Sequence, residues 1–278
     1  MNEQRPTELT NYPAHSLVSA EVALLEMWQG LENYHRDLVL VGGLAVHYHT
    51  KDKTQPRYRG TCTLDIDLGI SLATDGGMSG SVDWDLGMLG YRPDENRRMV
   101  KRGEFGNLYI DFLTEHRPAN LPGTRNVSDV TATVCPGIDR ALACRKLVPI
   151  TGLNRHEEEQ VFHIPLCGIG PLLVLKLNAF GQRNEQDRMK DAYDILVAVS
   201  SYSEGAQAAI DGFLAEASED NSGFAFAQQV LREHFSEDTS AGPRAACNFY
   251  LGAGGGNEEE RDLLRQDLVS IALSLLGD

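Results

Sequence analysis

The sequence lacks any C-x-x-C pair, and its five cysteines (Cys62, Cys135, Cys144, Cys167 and Cys247) are an odd set scattered along the chain. They read as free, mostly buried thiols in a reducing compartment. Long apolar runs are absent too. The greasiest stretch, 164–180, is broken by Pro165, Pro171 and Lys176 and falls short of the ~20 residues a membrane helix needs. The first twelve residues are polar, without the apolar core of a signal peptide. These absences predict a soluble, cytoplasmic protein with no membrane partner. Basic charge is scarce: 25 Lys plus Arg against 40 Asp plus Glu leave a net charge of −15. That excludes a dedicated nucleic-acid scaffold, whose footprint would be basic. The deficit is uneven. Residues 201–278 hold 14 acidic and 4 basic side chains, a net −10, whereas residues 1–200 hold 26 and 21, a net −5 that leaves room for a local positive site. No G-x-x-x-x-G-K-[ST] loop occurs, and Gly42-Gly43 lacks the third glycine of a dinucleotide fingerprint. There is no internal repeat. At 42% hydrophobic and 23% charged, the chain can still bury a proper core.

Apolar spacing divides what is present into two halves. Leu17, Val18, Val22, Leu25, Trp28 and Leu31 recur at helical intervals, which predicts an amphipathic helix from Ser16 to about Arg36. A short apolar run over 37–41 predicts a strand ending at Gly42-Gly43, followed by one or two helical turns over 44–49. The stretch 51–60 is a basic loop, and 61–70 a second strand. Residues 71–81, rich in Gly and Ser, predict a flexible loop, and 83–89 a short helix. Further strands are expected over 107–113, 127–134 and 161–166. From Pro171 the period turns helical, over 172–183 and 189–199; after Tyr202 come three or four acidic helices separated by Gly and Ser. The last starts near Asn257, an N-cap whose following Glu258, Glu259 and Glu260 complement the helix dipole. The expected fold class is α/β (α+β), with an α/β domain over 1–165 and a helical domain over 166–278.

Acids placed inside apolar strands are the strongest chemical signal. In Leu64-Asp-Ile-Asp-Leu68, strand alternation puts Asp65 and Asp67 on one face, about 7 Å apart at Cα level, and Leu64, Ile66 and Leu68 on the other. Asp111, in Tyr109-Ile-Asp-Phe-Leu113, is a third such acid. An ionised acid in an apolar strand is costly unless it is solvated, paired or metal-bound. Three on two strands ask for a common cation, and divalent ions held this way would stabilise the attacking and leaving oxygens of a phosphoryl displacement. Two polar-faced strands of a half-exposed sheet would carry the same pattern. Gly42-Gly43, between a strand and a helix, lets backbone approach a ligand and suits phosphate, or is simply a tight turn. Residues 91–106 carry Arg92, Arg97, Arg98, Lys101 and Arg102, either a patch for triphosphate or RNA phosphates or a solvated surface. His47-x-His49 would ligate a metal from a strand, but on a helix the two rings point apart. Gly252-Ala-Gly-Gly-Gly256 is expected to be a flexible connection.

The order of these parts carries more than any one of them. Gly42-Gly43, then Asp65-x-Asp67 22 residues later, then Asp111 44 residues further on, resembles the nucleotidyltransferase superfamily of the DNA polymerase β type. With the downstream run Lys176-x-x-Ala179, Arg183, Lys190-Asp191 and Asp194, the stretch 38–199 is similar to AbiEii-like nucleotidyltransferases, the toxin halves of type IV toxin–antitoxin pairs. The resemblance implies a nucleotidyltransferase-type mixed sheet flanked by helices, followed by a helical C-terminal part. It implies Mg2+-dependent transfer of NMP from an NTP to a hydroxyl acceptor, with release of pyrophosphate. Asp65 and Asp67 would bind both metal ions, and Asp111 would bind one and help activate the acceptor hydroxyl. Gly42 and Gly43 would hold the triphosphate by backbone N–H groups, and Lys176 would reach the phosphates. Lys190 and Asp191 match the last motif, Asp194 would pin the helix, and Arg183 would touch phosphate or cover a helix surface. The resemblance also implies an RNA acceptor such as the tRNA 3′ end and a cognate antitoxin. A small hydroxylated acceptor, or a non-catalytic nucleotide-sensing or partner-binding module, is the alternative. The chain departs from the superfamily in carrying Gly-Gly for Gly-Ser, and Thr61 stands where the AbiEii-like group usually has Arg, with Arg59 displaced upstream. The Gly/Ser insert after Ile70 has no clear counterpart.

Overall fold

Strand-forming and helix-forming sequence separate along this chain, and the structure follows that separation with two exchanges. A computed structural model describes residues 6–71, 81–103, 106–115, 123–127 and 129–277; most of the Gly/Ser stretch 71–81 lies outside them. Among the described residues are a nine-stranded mixed sheet and ten α-helices, an α+β arrangement. None of these helices is long and apolar enough to cross a membrane. The described residues divide into two compact units, one from Ala14–Ala45 and Thr63–Gly168, the other from Met1–Pro13, Val46–Cys62 and Ile169–Asp278. The expected division at 165/166 therefore shifts by three residues, and two segments of the first half belong with the helices.

The sheet unit begins with α1 (Ser16–Gly30), which stops short of the expected Arg36 and is followed by a 3-10 turn at Glu32–Tyr34. Next come β1 (Leu38–Val41), α2 (Gly42–Thr50, shared between the units), β2 (Asp65–Ile70) and α3 (Val82–Met88). Then follow β3 (Arg92–Pro93), β4 (Met99–Gly103), β5 (Gly106–Thr114), β6 (Thr124–Val127), β7 (Val130–Val134), α4 (Ile138–Ala143), β8 (Arg145–Leu153) and β9 (Glu159–Cys167). The strand order is β3-β4-β5-β2-β1-β9-β8, with the β6–β7 hairpin joining β5 through β7. β2 runs parallel to β5 and antiparallel to β1. α1 packs on β2, β5 and β8, and α4 on β1, β2 and β5. Leu38, Leu40, Ile66, Leu68, Ile110 and Leu24 are buried, and each such side chain stabilises by about 1.5–3 kcal/mol.

Several expectations change here. The single strand expected over 127–134 is a hairpin, β6 and β7, with Asp129 in the left-handed region at its turn (φ 68°). β8, β3 and β4 were not expected. β8 contains Pro149, which a central strand would not tolerate, and it lies at the end of the strand order, where a missing N–H costs little. β4 is masked in sequence by Lys101 and Arg102.

The helical unit is built around α5 (Ile169–Gln182), buried over almost its whole length. α6 (Arg188–Ser200), α7 (Ala206–Ala215) and α8 (Phe224–His234) pack on it, with α9 (Ala241–Leu251) and α10 (Glu258–Leu276) beyond. A Cβ at Gly170 would lie 2.2 Å from the Gly212 carbonyl oxygen, so α5 and α7 approach closely only because that position is Gly. Asn257 caps α10 as expected: its Oδ1 accepts the Glu260 N–H and Glu260 Oε2 accepts the Asn257 N–H, both at 2.9 Å. The basic loop 51–60 is pinned in this unit. Asp267 accepts from the Tyr58 hydroxyl at 2.5 Å and from Arg57 at 2.9 Å, and the Tyr193 hydroxyl donates to the Arg59 carbonyl. The strand expected from Thr61 starts at Asp65 instead, because the Thr61 hydroxyl is drawn to Asp194 at 2.6 Å.

Candidate functional site

β2 and β5 bring the three strand acids together. Their parallel register pairs Asp67 with Asp111 and Asp65 with Tyr109. Alternation leaves Asp65, Asp67, Tyr109 and Asp111 partly exposed, while Ile66, Leu68, Ile110 and Phe112 are buried behind them. Thr63 starts β2: its hydroxyl accepts the Asp65 N–H at 3.1 Å. On the other side of β2, the antiparallel register sets Val41 beside Asp67, so the Gly42-Gly43 turn opens at the acids. Gly42 adopts φ +68°, and a Cβ there would lie 1.9 Å from Asp67 Oδ2. Glycine is demanded twice, by the backbone and by the carboxylate beside it. The first-turn amides of α2 follow directly, and such amides have no partner within their own helix.

One further side chain belongs to this site. The β3–β4 hairpin carries Arg98, whose Nε donates to Asp111 at 2.6 Å and whose Nη2 donates to Asp65 at 3.0 Å. Its guanidinium carbon lies over the Tyr109 ring, 4.1 Å from the centroid. Asp94 builds the turn, with its Oδ1 accepting the N–H groups of Asn96 and Arg98 at 2.8 and 2.9 Å and Arg97 in the left-handed region. Three residues of the five-residue basic run thus have partners within the unit, while Arg97 and Arg102 are exposed. Arg92 donates to the carbonyls of Gly87 and Tyr91, Lys101 pairs with Glu26, and Arg98 is held by acids. Arg98 stood in the sequence only as a member of that run. The signal that marks it is Asp94 four residues earlier, shaping a turn between two strands too short and too basic to be recognised.

Among the described residues no group of three or more His, Cys, Asp or Glu side chains is arranged to hold a metal ion. The donor set of Asp65, Asp67 and Asp111 nonetheless fits a hard divalent cation in kind, carboxylate oxygens on one face of neighbouring strands. Asp65 and Asp111 already share one positive charge, that of Arg98.

The remaining expected site residues gather in the helical unit. Lys176 on α5 is buried, and its ammonium donates to Asp194 at 2.6 Å and Asp191 at 3.2 Å. Lys190 donates to Asp194 at 2.7 Å, one turn away on α6, and Arg183 donates to Asp191. Asp194 accepts from Lys176, Lys190 and Thr61 at once, so it is the hub that sequence reasoning treated as a pin. Burial alone would raise its pKa, but the Lys176 and Lys190 ammonium groups overcome this and hold it at about 2. Asp191 is likewise held below its ordinary range, Arg183 and Lys176 outweighing burial. Lys190 is raised because Asp194 outweighs burial. Burial pushes the neighbouring Cys62 thiol up to about 12, against the pull of Lys190, which leaves it a poor nucleophile. Lys176 therefore lies against two carboxylates rather than at a surface.

Other candidates separate from these sites. His47 and His49 lie on α2, where His49 is buried against the Tyr202 ring and His47 lies edge-on to Tyr48. Gly252–Gly256 is an ordered connection rather than a loose one: Arg261 donates to the carbonyls of Gly252 and Gly255. A cavity of about 350 Å³ beside Trp28, Arg36, Arg145 and His163 lies in the sheet unit where the chain enters β1, whereas Gly42 and the acids lie where it leaves. Arg145 there is spent on the carbonyls of Leu38 and Arg36. Comparison with family models, with curated proteins and with solved structures finds no match to this chain.

Proposed function

We propose that the chain is a nucleotidyltransferase of the DNA polymerase β type, AbiEii-like in its motif order, that moves NMP from an NTP to a hydroxyl acceptor. The observation that carries this reading is the Asp67–Asp111 cross-strand pair, with Asp65 on the same face and the Gly42-Gly43 turn opening beside Asp67. Strand-borne acids beside a glycine turn place carboxylates and backbone amides where a triphosphate needs both.

Asp65, Asp67 and Asp111 would hold Mg2+, which when bound neutralises the charge developing on the phosphoryl oxygens. Asp111 accepts the proton of the acceptor hydroxyl as it becomes the nucleophile. The N–H groups of Gly42 and Gly43 orient the triphosphate so that its α-phosphorus meets that oxygen and pyrophosphate leaves. The network of Lys176, Arg183, Lys190, Asp191 and Asp194 keeps α5 and α6 in register, with Arg183 the most exposed of its cations.

For the acceptor, an RNA such as the tRNA 3′ end, with a cognate antitoxin as protein partner, rests on the motif order. A small hydroxylated acceptor is favoured by a specific observation: Arg92, Arg98 and Lys101 are committed to partners within the unit. Incubation with each α-labelled NTP, Mg2+ and total tRNA, beside an Asp65→Asn, Asp67→Asn variant, tests the proposal. Label on RNA that is absent from the variant supports the RNA reading. Label only on added small hydroxylated compounds selects the second acceptor class, and no transfer to either class, with the protein folded, counts against the enzyme.

A further inference from the structure

We infer that Arg98 is a tethered counter-cation, a positioning residue that holds Asp65 and Asp111 until a divalent ion displaces it; this rests on the metal-dependent reading above. Three observations lead here. The guanidinium bridges two of the three acids with one donor each, 2.6 Å to Asp111 and 3.0 Å to Asp65. Its central carbon lies over the ring of Tyr109, the register partner of Asp65, so the ring helps to hold it beside the acids. Asp94 preshapes the turn that delivers it, so the placement is built into the hairpin and not left to a flexible side chain.

The physical consequence is competition. Asp65 and Asp111 are only 17% and 19% exposed, and Arg98 is 25% exposed. Carboxylates so placed repel one another, and one positive charge between two of them relieves that repulsion. An arriving divalent ion brings twice the charge and accepts the same oxygens, but it must first break both hydrogen bonds. Arg98 therefore keeps the acids aimed while raising the Mg2+ concentration needed to fill the site. A purely structural arginine has the opposite signature, because removing it would loosen the acids and weaken metal binding.

The test is calorimetric titration of Mg2+ alone into the full chain and its variants, a readout independent of turnover. Arg98→Gln is expected to bind Mg2+ about tenfold more tightly than the parent, the scale of one removed charge at a partly exposed site. Arg98→Lys, which keeps the charge, is expected to stay within about threefold of the parent. Asp94→Ala, which loosens the turn without touching the acids, is expected to tighten binding severalfold and serves as well should Arg98→Gln fail to fold. An Asp67→Asn variant that binds no Mg2+ identifies the site. Equal or weaker binding by Arg98→Gln and Asp94→Ala, with Asp67→Asn still blind to Mg2+, overturns the inference and leaves the metal reading standing. Absence of binding in every protein, the parent included, overturns the metal reading and the inference with it.

Discussion

The molecule contains two clusters of charged side chains, one in each unit, and they are built on opposite plans. In the helical unit, Asp191 and Asp194 are buried and answered by Lys176, Arg183 and Lys190, with Thr61 completing the coordination of Asp194. In the sheet unit, Asp65, Asp67 and Asp111 lie partly exposed on one face, and Asp65 and Asp111 share the guanidinium of Arg98. Among the described residues, the first set has more cations than acids and faces inward; the second has more acids than cations and faces a glycine turn. Burial makes the first a matter of stability, since an unpaired charge there has no solvent to fall back on. On the proposed function, partial exposure would make the second a matter of binding.

The contrast is broken most severely by substitution at the hub. Asp194→Ala leaves Lys176 and Lys190 without their shared acceptor and is expected to destabilise the fold by about 3–5 kcal/mol, read from urea unfolding. A similar loss on Asp67→Ala would erase the distinction between the two clusters. Gly42→Ala comes next. A side chain at φ +68° meeting Asp67 is expected to cost about 2 kcal/mol or more and to lower transfer as well, measured by thermal melting beside a turnover assay.

Acid sharpens the same comparison. The Asp194 carboxyl, held at about 2 against an ordinary 3.8, lies below its unfolded value, so its contribution is complete above about pH 4. That contribution is lost as pH falls from about 4 toward 2. Circular dichroism should show unfolding over this interval, with the parent and Asp194→Asn converging in stability at its acid end. The smallest effect is a control outside both clusters: Asn257→Ala removes the α10 capping box and is expected to cost about 1 kcal/mol without changing transfer.

Much of this was legible because the residues announce themselves by period. Asp65 and Asp67 alternate with Ile66 and Leu68, and Asp111 alternates with Ile110 and Phe112, so these two strands and the acidic face of each followed from strand geometry. The helices after Pro171 and the Asn257 cap followed in the same way. What was hidden depends on contacts distant in sequence. Thr61 reaches Asp194, Tyr58 reaches Asp267, and these long-range bonds carry 46–62 into the helical unit. β8 was hidden by Pro149, whose tolerance at an edge shows only when the strand order is known. Arg98 was hidden by its neighbours: in a run of five basic residues nothing local distinguishes the one that turns back onto Asp65 and Asp111.

On the proposed function the sheet-unit acids perform chemistry while the buried network holds the fold. The most direct measurement follows unfolding and nucleotidyl transfer on the same Asp67→Asn sample. The prediction is stability within about 1 kcal/mol of the parent, as for a partly exposed charge, together with transfer reduced at least about a hundredfold, the scale of a lost catalytic group. Transfer that persists at the parental rate in the folded variant would contradict it.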